Sequence, residues 1–134
     1  AQNLAAMLSL LENVHMAAWL ADRPMSDQEA LTALHRVGLG DRHRHRPANL
    51  SGGEQQRAAL ACVLVARPTV LLADEITGEL DRMSARSVLD VLHTTHLADG
   101  TTVVLVTHDP DVAAGADRIV GLRDCVVAFD RRLR

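Results

Sequence analysis

The chain of 134 residues has no lysine and no tyrosine; its 14 basic residues are all arginine, and Trp19 and Phe129 are its only aromatics. Without lysine it holds no Gly-x-x-x-x-Gly-Lys-Ser/Thr loop of the kind that grips a nucleotide's phosphates. With so few aromatics, the core must be built from Leu, Val, Ala and Ile, a mix that suits α/β proteins with buried parallel strands. Cys62 and Cys125 are too few for a disulfide framework and read as two small buried hydrophobes in a reducing cytosol. A formal charge of -3, with acids and bases interspersed, leaves no electrostatic footprint for nucleic acid. The longest apolar run, Ala58 to Ala66, falls far short of the roughly 20 residues that span a bilayer. Ala1-Gln2-Asn3 offers neither an initiator methionine nor the plan of a signal peptide, which predicts a start inside a larger protein.

What is present is enough for a real core: 48% of the residues are apolar. Leu8 to Ala21 reads as a helix stopped by Pro24. Ser26-Asp27-Gln28-Glu29 then caps a second helix, with Ala30, Leu31, Leu34 and Val37 on one face and Gly38 as its end. The polar stretch Asp41 to Asn49 reads as an exposed connection and marks a boundary, giving a helical part, 1–49, and a second part, 50–134. His43 and His45 in that stretch lie among three arginines, which argues against a metal site. Beyond it the pattern predicts a helix from Gly52 to about Ala66, a strand Val70 to Ala73, a helix from about Met83 to Leu97 and a strand Thr102 to Val106. Strands separated by helices of this length pair in parallel, because the crossover needs a dozen or more residues. A short helix, Pro110 to Gly115, leads to an edge hairpin, Arg118 to Leu122 and Val126 to Phe129, and Arg131 to Arg134 reads as a solvated end.

Residues 50 to 57 read Leu-Ser-Gly-Gly-Glu-Gln-Gln-Arg. Ser51 with Glu54 forms a capping box, but a well-started helix does not account for Gly52 and Gly53, each costing up to about 1 kcal/mol relative to Ala. Bare glycines at a helix start let an anion approach the unpaired N–H groups and the positive end of the dipole; phosphate is the natural anion. Val70 to Ala73 runs into Asp74-Glu75, two acids at the carboxyl edge where open α/β sheets place ligands. Asp81 has the chemistry of a helix cap. His108 follows the second parallel strand, beside the strand that carries Asp74, and Asp109-Pro110 opens the next helix.

Together these motifs resemble those of the ABC-type ATPases, and the resemblance covers almost the whole chain. Asn3-Leu4, Leu11-Glu12-Asn13-Val14, Val37 to Arg42, Leu72 to Glu75 and Ala116 to Val120 are similar to the lipoprotein-release and macrolide-export subfamily. The resemblance implies a partial P-loop NTPase fold, α/β, with a helical subdomain ahead of the parallel strands. It implies that Ser51, Gly52, Gly53 and Glu54 face the γ-phosphate of ATP held by a partner subunit, and that Asp81 lies in the D-loop at the dimer contact. Asp74 would hold Mg²⁺ through water, Glu75 would orient or deprotonate the attacking water, and His108 would be the switch histidine. It further implies ATP and Mg²⁺ as cofactors, a head-to-tail second ATPase subunit, membrane-spanning permease subunits or domains as partners, and a place at the cytoplasmic face of the cell membrane.

The sequence departs from the family at Ile76, where proline is usual, at Cys62, where arginine is common, and at Cys125, where glycine occupies the final turn. The last substitution predicts a positive φ carried by a non-glycine residue. The Q-loop glutamine falls just before Ala1, so Gln2 is out of register, and no base-stacking aromatic is present. Two readings follow: part of an ATP-hydrolysing transporter subunit, or a truncated, non-catalytic chain that supplies its signature motif to another subunit. Codons upstream of Ala1 separate them. The ATPase head of a DNA-repair or chromosome-structure protein would need coiled-coil arms, and no heptad run occurs.

Overall fold

Three helices begin with the same device. Ser9, Ser26 and Ser51 each accept an N–H from the glutamate three residues on, at 3.3 Å, and Glu12, Glu29 and Glu54 return a carboxylate to the serine N–H at 2.6, 2.8 and 2.8 Å. These boxes open α1 (Leu10–Leu20), α2 (Asp27–Arg36) and α3 (Gly52–Val65) in the computed structural model, which describes residues 4–78 and 80–133. Ala1-Gln2-Asn3, Glu79 and Arg134 lie outside the described residues. The Ser9–Glu12 box is an addition to the two legible in the sequence. Gly38, at φ +73°, ends the α2 region as the sequence predicts.

The connection Asp41 to Asn49 is exposed over most of its length, as its polarity predicts, but it is regularly folded. It forms two short 3₁₀ turns, Gly40–Arg42 and Pro47–Asn49, with Gly40 and Pro47 buried. The reason lies in α1, whose first N–H groups have no partner within the helix. Leu10 and Leu11 donate theirs to the His45 and His43 carbonyls, at 2.9 and 3.0 Å. Within the same region, Asn13 is 1% exposed and satisfies four backbone groups: it accepts from Ala5 N–H and donates to the Ala5, Leu8 and Ser9 carbonyls.

The strand β1 (Val70–Asp74) pairs in parallel with β2 (Thr102–Val106), in register from Val70↔Thr102 to Asp74↔Val106. Between them runs α4 (Arg82–Asp99), capped at its start by Asp81 and closed at its end by Gly100 at φ +68°. After the one-turn α5 (Pro110–Ala113), β3 (Arg118–Arg123) and β4 (Val126–Arg132) form an antiparallel hairpin with a sheet of its own. Its turn residues Asp124 and Cys125 have φ of +50° and +63°, the pattern of a type I′ turn, so Cys125 does take the conformation that glycine prefers. Cys125 is exposed, because a hairpin turn projects into solvent; only Cys62 is partly buried, and there burial pushes the thiol up to about 12. β4 continues through Arg131 and Arg132, three residues past Phe129, and Arg118 clasps Asp130 across the pair at 2.8 and 2.5 Å.

Helix α3 joins the two apolar clusters. Ala58, Ala61 and Val65 pack with Leu10, Val14 and Ala18 of α1 and Ala30 and Leu34 of α2. Leu60 and Leu64 pack with Leu71 of β1 and Val88 and Leu92 of α4. A helix apolar on every side in its second half, as Ala58 to Val65 is, suits burial from two directions. The opposite face of the parallel pair is bare: Val70, Leu72, Val104 and Val106 are 51, 76, 46 and 55% exposed.

Candidate functional site

The start of α3 is solvent-facing. Ser51 and Gly52 are exposed, and a Cβ placed on Gly52 would meet nothing within 4 Å. Gly53 differs: a Cβ there would lie 3.0 Å from Ser84 Oγ and 3.2 Å from Ser84 Cβ. Of the two glycines, Gly52 leaves room for a ligand, while Gly53 permits close packing of α3 against the start of α4. The Ser51 N–H holds the Glu54 carboxyl below its ordinary range, with the Ser51 hydroxyl adding to the effect. Glu54 therefore serves the cap as an anion, and Arg42 stands 3.9 Å from its other oxygen.

At the carboxyl end of β1, Asp74 is exposed and the chain turns sharply. Glu75 extends the ladder by donating its N–H to the Val106 carbonyl at 3.0 Å, then adopts φ +47°. The left-handed region disfavours side chains, and a glutamate held there is typical of sites where geometry serves chemistry. That turn, and the parallel register placing Val106 opposite Asp74, bring His108 to Glu75: Nδ1 lies 2.9 Å from Oε1. The side-chain hydrogen bond and the charge of Glu75 hold His108 above its ordinary value of 6.5. A protonated ring donates from Nδ1 to Glu75 and leaves Nε2–H free to donate to an anion.

The sign of this coupling is fixed. A histidine whose folded value is raised contributes stability fully present below the unfolded value; it is lost as pH rises through the folded one, here above about 6.5. In a proton NMR titration His108 therefore shows a midpoint above 6.5, and Glu75→Gln returns it towards that value. An unmoved midpoint would remove the ion pair.

Asp81 accepts from the Met83 and Ser84 N–H groups at 3.0 Å each and from Ser84 Oγ at 2.6 Å, and these bonds hold its carboxyl below the usual range. Since Ser84 also touches Gly53, the Asp81 cap and the α3 start share one contact. Three polar residues escaped the sequence reading as individuals. Gln55 donates to the Pro47 and Leu50 carbonyls at 3.0 and 3.3 Å, Gln56 to the Ile76 carbonyl, and Arg57 Nε to the Val37 carbonyl at 3.1 Å. Long polar side chains entering an otherwise apolar helix need partners, and that was the available signal.

Residues 1–78 match the family profile described as ABC transporter. The chain belongs to the ABC transporter family. The lipoprotein-releasing system ATP-binding protein LolD of Syntrophus aciditrophicus is 46% identical over 124 residues, covering 91% of this chain and 56% of LolD. The macrolide export ATP-binding/permease protein MacB of Rhodospirillum rubrum is 47% identical over 130 residues, covering 96% of this chain and 20% of MacB. A solved dimer of the ATP-binding cassette MJ0796, in a post-hydrolysis state with ADP and Pi, superposes with a TM-score of 0.85 and 36% identity over 99% of this chain and 60% of that one. The chain thus spans little more than half of LolD and a fifth of MacB. Its fold is part of the ABC ATPase fold, mixed α/β with parallel strands and a C-terminal antiparallel pair.

The residues present suit the family's ligand. Among the described residues no group of three or more His, Cys, Asp or Glu converges on a metal position. Mg²⁺ beside a nucleotide takes only one or two carboxylates, with phosphates and water supplying the rest, and the exposed Asp74 fits that need. The open space above Gly52 fits a phosphate oxygen. No helix among the described residues is long and apolar enough to cross a membrane.

Proposed function

We propose that this chain is the signature-bearing part of an ATP-hydrolysing subunit that couples ATP to transport or extraction across a membrane. The observation that carries the reading is the Glu75–His108 pair, joined at 2.9 Å beside Asp74 at the carboxyl edge of the parallel strands. In phosphoryl transfer the protein mainly positions groups and balances charge. Glu75 accepts or orients the proton of the attacking water, His108 donates from Nε2 to the γ-phosphate, and Asp74 holds Mg²⁺ through water. Bound Mg²⁺ supplies charge neutralisation for the transferring phosphoryl group. Ser51, Gly52 and Gly53, with Glu54 fixing the cap, receive the γ-phosphate of a nucleotide seated on a second, head-to-tail subunit, where Asp81 lies at the contact. Residues 1–49 act as a helical subdomain that meets a membrane-spanning permease, and α3 of residues 50–134 packs against it. This puts the subunit at the cytoplasmic face of the membrane. The dimeric MJ0796 cassettes and the ATP-binding/permease name of MacB support that assembly.

A second reading, equally compatible with the lack of lysine, is a non-catalytic chain that lends its signature motif to another ATPase. In that case Glu75 is idle. Both readings make the chain an incomplete nucleotide site, which calorimetry tests. Titrating the 134-residue chain with Mg-ATP gives no tight isotherm; saturable binding at low micromolar concentration would overturn the assignment of half-sites.

A further inference from the structure

The first turns of α3 touch the segment after Glu75 at several points. The Gln56 amide donates to the Ile76 carbonyl, in the turn closed by Gly78 N–H to the Glu75 carbonyl at 3.1 Å. Gly53 packs so closely that a Cβ on it would lie 3.4 Å from a Leu80 methyl carbon and 3.0 Å from Ser84 Oγ. Ile76 and Leu80 in turn pack against the cluster formed by Leu60, Leu64 and Val88. Gln56 is the one side chain on α3 found donating to a carbonyl next to Glu75, and it lies one helical turn from Gly52 and Gly53. Its neighbours Gln55 and Arg57 hold other segments, the approach to Ser51 and the end of α2.

We propose that Gln56 is a positioning residue that fastens the Glu75 turn to the start of α3, so that the hydrolytic half-site and the partner-facing half-site of one chain move together. The proposal rests on the function assigned above and adds to it a link between the two sites of a dimer. The physical demand is a donor. Glu75 sits in a left-handed backbone conformation, and the turn beyond it is short, so its carboxylate direction depends on where the Ile76 peptide is held. Misplacement of a catalytic group by about 1 Å costs on the order of a hundredfold in rate. Glutamate has the shape of glutamine but, when ionised, can only accept; lysine reaches about as far and donates.

Two variants, assayed at pH 8 so that the carboxylate is ionised, separate donation from packing. In the complete ATPase, Gln56→Glu lowers kcat by about tenfold to a hundredfold and leaves KM for Mg-ATP within about threefold. Gln56→Lys keeps most of the turnover. In the 134-residue chain, hydrogen exchange at the Gly78 and Leu80 amides, which donate to the Glu75 and Thr77 carbonyls, quickens in Gln56→Glu and not in Gln56→Lys. Wild-type kcat in Gln56→Glu, or unchanged exchange at both amides, would overturn the proposal. If the complete ATPase shows no turnover, the assigned function fails, and the exchange comparison still decides the role of Gln56. Should Gln56→Glu not fold by circular dichroism, Gln56→Lys decides: native protection of Gly78 and Leu80 supports the tether, and its loss refutes it.

Discussion

In the complete ATPase, Glu75→Gln lowers ATP turnover by about 10²–10⁴-fold, the range removed with a general acid or base, while ATP-dependent dimerisation persists. The amide keeps the size of the side chain and an oxygen that accepts from His108 Nδ1, so the local geometry survives. What is lost is the negative charge and the capacity to take a proton from water. The binding determinants at the helix start, Ser51 and Gly52, are untouched. Phosphate release measured at saturating Mg-ATP reads the first effect, and light scattering with and without ATP reads the second. Unchanged hydrolysis would remove Glu75 from the chemistry and favour the non-catalytic reading.

The largest loss of stability is expected at Asn13 rather than at any apolar position on the bare sheet face. Its amide is buried and bonded to one N–H and three carbonyls. Asn13→Ala removes the partner of the Ala5 N–H and the Leu8 carbonyl in a site that water reaches poorly, while the Ala5 and Ser9 carbonyls keep the Leu8 and Asn13 N–H groups. Each stranded group costs roughly 1–3 kcal/mol, and partial relaxation brings the expected total to about 2–4 kcal/mol. The exposed cap change Ser9→Ala costs about 1 kcal/mol, so the order of the two effects is itself diagnostic. Urea unfolding monitored by circular dichroism measures both. A loss below that of Ser9→Ala would mean the Asn13 network is dispensable. The consequence reaches the site through packing: α1 also anchors the His43 and His45 carbonyls, in the connection leading to Ser51.

Much of this was legible in the sequence because local chemistry and tertiary packing agree. The Ser26 and Ser51 boxes, the Gly38 stop and the strand Thr102–Val106 stand where the residues put them. The cap at Asp81 and the positive φ at Cys125 follow from single side chains and one missing glycine. Other features depend on partners distant in the chain. Nothing in Asp41 to Asn49 announces that its carbonyls satisfy the start of α1, since the need belongs to a helix more than thirty residues away. Likewise the left-handed turn at Glu75 and its bond to His108 depend on the β1–β2 register, which a reading of either strand alone does not fix. Gln56 was visible as part of a motif, yet its target, the Ile76 carbonyl, exists only once α3 lies against β1.

The uncovered side of the β1–β2 pair gives the chain's stability an unusual character. Parallel strands are ordinarily sheltered on both faces, and here one face is covered by α3 and α4 while Val70, Leu72, Val104 and Val106 leave the other open. A polypeptide that bound this face and not the unfolded chain would raise the melting temperature with its concentration. With such a partner present, the folding free energy would be a property of the solution as well as of the molecule.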